Sequence, residues 1–163
     1  RQRQMCIRDS YKAGLTLEKP QMKNRILIQS CLKDWFGKER NMEIEKLSWS
    51  NTIDEQEKAV SELANSRDID LKELIMPFGK KDCWANCARV ICARSDKEII
   101  EVALEMFEWL QDLNWPGAMD IVSRLKKLPT DVLRRLYKVS LDKAKNDEEW
   151  LFFLKEEFGY LDV

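Results

Sequence analysis

Histidine is absent from this 163-residue chain. No imidazole is available for general base work near neutral pH, for a serine or cysteine triad, or for metal binding. Carboxylates or lysines can support catalysis without it, but the commonest catalytic designs are excluded, and the chain is read as a non-enzyme. Glycine and proline are scarce as well, at 5 and 4 residues. A turn-rich β-sandwich or a disordered chain would carry more of both. No apolar run approaches the roughly 20 residues that a bilayer span needs, so no integral membrane segment is expected. A signal peptide is not visible either. The 5 cysteines are therefore read as reduced thiols of a cytoplasmic protein.

Charged residues make up 35% and apolar residues 44% of the chain, a balance that suits a soluble helical domain with a real core. Charge is unevenly placed. Residues 1–41 hold ten basic side chains and four acidic ones; against totals of 28 and 29, residues 42–163 keep 18 basic and 25 acidic, a net charge of −7. Such a surface repels phosphate backbones and excludes nucleic acid as the expected partner. A basic protein is the partner it favours.

The division at residue 42 has other support. Residues 1–10, RQRQMCIRDS, resemble the translated scar of a sequencing adaptor and are set aside as a non-native leader. Residues 11–41 are weakly patterned apart from ILIQSCLKDWF, which could form one or two amphipathic turns. The hexapeptide GKERNM at 37–42 can be encoded with a purine-rich ribosome-binding sequence ahead of an ATG. Residues 1–41 are expected to be leader and upstream read-through, with a single domain starting at Met42.

From Ser50 onward the pattern is helical. Thr52 with Glu55 forms a capping box ahead of an apolar stripe of Ala59, Val60, Leu63 and Ala64. A short second helix with Leu71, Leu74 and Ile75 is expected after Asp68, stopped by Pro77 and Gly79. Asp82 is read as the cap of a third helix with Trp84, Cys87, Ala88 and Ile91 on one face. Ser95 and Glu98 make a second capping box, followed by Ile99, Val102, Ala103, Met106, Phe107 and Leu110 at helical spacing. Asn114 or Trp115 is expected to cap a fifth helix, with Pro116 in its first turn and Ala118, Ile121, Val122 and Leu125 buried. Pro129-Thr130 opens a sixth, with Leu133, Leu136, Tyr137 and Leu141; Trp150, Leu151, Phe153, Leu154 and Phe158 mark the last. No segment shows sustained strand alternation.

A weak repeat is visible. Trp84, the Ser95 cap and a helix are echoed by Trp115, Thr130 and a helix, 31 to 35 residues later. That period belongs to helical-hairpin repeats, which bury their apolar faces only by stacking. The expected fold is all-α: a short right-handed α-solenoid of stacked antiparallel helix pairs, HEAT-like. The motif W-L-Q-D-L-N-W-P-G-A, with S-W-S-N-T upstream and D-C-W-A-N-C-A-R-V-I between, resembles a bacterial family called domain of unknown function 5071. The likeness runs over roughly residues 46–128. It implies a HEAT-like fold and carries no activity, cofactor or site residue with it.

Trp109, Gln111, Asp112, Asn114 and Trp115 are the candidate binding residues. One reading makes them architecture: Trp109 anchors the core, Trp115 packs over a hairpin turn, and Asp112 and Asn114 satisfy open helix ends. The other displays Trp115, Gln111 and Asp112 to a partner, where Trp is a frequent hot spot and Asp can pair with Arg. Architecture is the larger part. Cys83 and Cys87 share a helical face but Cys92 points nearly opposite, and two thiolates without histidine do not complete a zinc site. They are read as buried apolar residues, with no metal or cofactor. The acidic pairs and runs, such as Glu55/Glu57 and Glu105/Glu108, read as solvated helix faces. The expected function is a protein-interaction module, in one version an immunity-type protein that neutralises a basic toxin. The alternative, from another class, is a carboxylate-dependent hydrolase or a small-ligand binder.

Overall fold

A computed structural model describes residues 43–162. The expected leader at 1–41, with its amphipathic stretch and the proposed start at Met42, lies outside the described residues. What is described belongs to one compact unit, Lys38–Val163. It is helical throughout, with no strand among the described residues.

Helix α1 spans Ile53–Asn65. Its capping box forms as the sequence implies: Thr52 Oγ1 accepts from Glu55 N at 3.4 Å, and Glu55 returns a carboxylate oxygen to Thr52 N at 2.9 Å. Ala59 and Leu63 are its buried face. The expected second helix is shorter and tighter, a single 3₁₀ turn at Leu71–Leu74. Asp70, not Asp68, caps it by accepting from Lys72 N at 3.0 Å. One turn is enough to bury Leu71 and Leu74 completely or nearly so.

Helix α2, Trp84–Cys92, follows a 3₁₀ turn at Lys81–Cys83 and has no side-chain cap. Asp82 is spent differently from the expectation. Its carboxylate accepts from Ser48 Oγ and its carbonyl from Trp49 N, tying the segment before α1 to the start of α2. Helix α3, Asp96–Met106, begins at the Ser95–Glu98 capping box and buries Ile99, Val102, Ala103 and Met106. The chain then tightens into a 3₁₀ segment, Phe107–Gln111. Helices α4 (Ala118–Leu125), α5 (Thr130–Lys143) and α6 (Glu148–Phe158) follow, and a 3₁₀ turn at Gly159–Asp162 completes the order. Thr130 is a helical residue rather than a cap, since Pro129 precedes it in an extended conformation and its carbonyl accepts from Leu133 N.

Helix α1 packs on α2 and α2 on α4; the Leu71–Leu74 turn packs on α3, and α3 on α5. Two arginines thirty residues apart stitch successive elements. Arg94 donates to the carbonyls of Leu63 and Ser66 at the end of α1. Arg124 donates to Arg94 O at 3.0 Å and to Asp96 Oδ1 at 2.6 Å. Both are buried, so these open carbonyls exchange water for charged donors. Helix α6 closes the far end: Trp150 Nε1 donates to Phe107 O, and the Phe158 ring meets that of Phe107 at 5.2 Å, tilted by 59°.

Candidate functional site

The corner between α3 and α4 forms because three of the five residues in Phe107–Gln111, namely Phe107, Trp109 and Leu110, are fully buried. That demand drags the chain inward, and it must then turn sharply. Asp112 starts the turn in an extended conformation; its Oδ1 accepts from Asn114 N at 2.8 Å and its carbonyl from Trp115 N at 3.0 Å. Trp115 O then accepts from Ala118 N. Trp109 Nε1 donates to Pro116 O at 3.0 Å, so the ring that fills the core also fastens the turn above it.

The expected cap at Asn114 or Trp115 does not form. Helix α4 begins at Ala118, behind Gly117 with φ 86 and no side-chain cap. The reason is the closeness of α2: a Cβ on Gly117 would stand 2.5 Å from Ala88 Cβ and 3.2 Å from Trp84 O. Only glycine fits both the left-handed backbone and the contact. Pro116 is thus part of the turn, not of the helix.

Exposure divides the five candidate residues. Trp109 is 0% exposed. Gln111, Asp112 and Trp115 are half-buried, and Asn114 is exposed. Trp84, expected only as a core face of its helix, joins them: its ring meets Trp109 at 6.2 Å and Trp115 at 5.3 Å, both edge to face. Trp84 Nε1 is pinned to Pro77 O at 3.1 Å. Lys81 was not singled out by the sequence, yet its ammonium lies over both the Trp84 and Trp115 rings. Its position three residues before Trp84 was the available signal. Next along the chain from Pro77, Phe78 is wholly exposed, on a loop where Met76 (φ 43) and Gly79 (φ 72) both take left-handed backbone.

Among the described residues, several titratable groups depart from their ordinary values. Hydrogen bonds from Thr52, Arg89 and Ser95 hold Glu55, Glu57 and Glu98 below the ordinary carboxylate range. Burial pulls Glu105 upward, but the 2.7 Å contact with Lys72, together with a backbone hydrogen bond and the charge of Lys143, outweighs it and the net direction is down. Burial pushes the thiols up: Cys83 to about 11, Cys87 to about 12 and Cys92 to about 11. Cys83 and Cys87 are buried, while Cys92 is half-buried with Sγ 3.5 Å from Asp120 O. No group of three or more metal-ligating side chains converges among the described residues. An open groove lies elsewhere, beside α1, lined by polar side chains including Lys46, Asn51, Glu55 and Glu62. No helix among the described residues is long and apolar enough to cross a membrane.

Fold and corner together define an all-α domain built on an interlocked tryptophan turn. The chain belongs to the family described as Domain of unknown function (DUF5071), whose model matches residues 75–159. The tryptophan corner lies inside that match; S-W-S-N-T, at 48–52, lies before it. No curated protein and no solved structure matches the chain.

Proposed function

We propose that this chain is a non-enzymatic, cytoplasmic protein-interaction module: a short right-handed HEAT-like α-solenoid whose tryptophan corner docks a basic protein. The contacts of α1 with α2, of α2 with α4 and of α3 with α5 support stacked helix pairs. The lowered carboxylates and raised thiols weigh against acid/base or nucleophilic work, which needs a carboxyl raised or a thiol lowered. One observation carries the docking reading. The motif splits, with Trp109 enclosed and Trp115, Gln111 and Asn114 left at the surface. The side chains of Gln111 and Asn114 make none of the turn's hydrogen bonds. The net charge of −7 over residues 42–163 favours a basic partner, and an immunity-type inhibitor of a basic toxin is the version that charge suits best.

The test is affinity capture from the native cell extract with identification of what is bound, comparing wild type with a Gln111→Ala/Asn114→Ala double variant. The expected result is a basic protein whose affinity falls about tenfold in the variant, about 1.4 kcal/mol of interface contact. Its melting temperature should not change. Capture that ignores the corner overturns the docking site. Substrate turnover lost in a Glu→Gln variant overturns the non-enzymatic reading.

A further inference from the structure

We infer that the Trp84–Trp115 corner is a cation-accepting aromatic cleft, closed in the free protein by Lys81, which it exchanges for an arginine or lysine side chain of a basic partner. This rests on the docking reading above and specifies its chemistry. The two indole rings stand 5.3 Å apart at 66°, so they form a corner rather than a stack. An ammonium in the angle is attracted by both ring quadrupoles. Lys81 occupies that position now, with Nζ 5.6 Å from the Trp84 centroid and 5.9 Å from that of Trp115.

The cleft walls are fixed and the occupant is not. Trp84 is held by its bond to Pro77 O and backed by Trp109. Trp115 is held by its backbone bond to Asp112 O and lies half-buried against the core. Lys81 is exposed and makes no ion pair among the described residues, in contrast to Lys80, which pairs with Glu45 at 2.9 Å. A flexible, hydrated ammonium without a carboxylate is an easily displaced ligand. A guanidinium offers the same rings a planar, more weakly hydrated cation and stacks on them better. The net charge of −7 over residues 42–163 draws such a partner in.

The probe is tetramethylammonium chloride, with sodium chloride at equal concentration as the control, followed by the indole N–H resonances of the isotopically labelled full chain. Tetramethylammonium should shift the Trp84 and Trp115 signals and leave that of Trp150 in place. If Lys81 fills the cleft about nine-tenths of the time, Lys81→Ala should bind the probe about tenfold more tightly. Lys80→Ala removes the same charge one residue away and should stay within about twofold of wild type. Trp115→Phe keeps a ring and should retain weakened binding, while Trp115→Leu in the Lys81→Ala background should abolish it. Equal affinities in wild type, Lys80→Ala and Lys81→Ala, or shifts no different from those in sodium chloride, overturn the cleft. The probe needs no partner. Failure of the probe with capture intact refutes the cleft alone; probe binding without corner-dependent capture refutes the docking reading, and the partner exchange with it, while the cation cleft stands.

Discussion

Trp109 and Trp115 stand six positions apart with opposite exposures, so truncating each should cost different amounts. Trp109→Ala empties a fully enclosed site and releases the Pro116 carbonyl, and should destabilise by about 3–5 kcal/mol. Trp115→Ala loses a half-buried ring and its edge contact with Trp84, for about 1–3 kcal/mol. Asn114 caps no helix and its side chain is exposed, so Asn114→Ala should stay within about 0.5 kcal/mol. Urea midpoints at constant slope would give all three. A cost for Asn114→Ala near that of a lost cap, about 0.5–2 kcal/mol, would show that its side chain does hold the turn.

At the level of elements, legibility in the sequence depended on how local the cause was. Both capping boxes were readable because Thr52 and Glu55, or Ser95 and Glu98, find each other within one turn. Apolar periodicity likewise located the buried faces of α3 and α4. The start of α4 was misplaced because Gly117 answers to Ala88, twenty-nine residues away, and no local pattern announces that contact. The site was legible as a motif but not as a constellation, since Lys81 and Trp84 reach it from another helix. Arg94 and Arg124 went unread for the same reason; their partners lie 28 to 31 residues back. They supply a test at this scale. Arg124→Leu removes charged bonds from a buried carbonyl and should cost about 1.5–3 kcal/mol. Arg135→Ala breaks only an exposed pair with Asp131 and should cost no more than about 0.5 kcal/mol. Equal losses would mean that the arginine links between successive elements add nothing beyond surface charge.

For the molecule as a whole, the titrating groups put its weakness on the alkaline side. Burial raises Cys83, Cys87 and Cys92 from an ordinary 9 to about 11, 12 and 11. Burial, with Asp162 beside it, raises Tyr137 from 10 to about 12; its hydroxyl lies 3.3 Å from Asp162 Oδ2. A weak acid whose folded value is raised is neutral in the fold while its unfolded counterpart already ionises. The stability it contributes is therefore complete below its unfolded value and is lost as pH rises through the folded one. The melting temperature should hold level up to about pH 9 and fall steadily between about pH 9 and 12, as the unfolded thiols and then the phenol lose their protons. On the acid side the lowered Glu55, Glu57 and Glu98 are exposed, so their protonation should produce no comparable step near pH 4. Cys87→Ala removes the most strongly raised thiol and should shift the alkaline limb upward even though it lowers the plateau. Thermal melts of wild type and variant from pH 3 to 12 would check both limbs. Parallel curves would mean that the buried thiol ionises as easily as an exposed one, and that the helices around Cys87 do not exclude water.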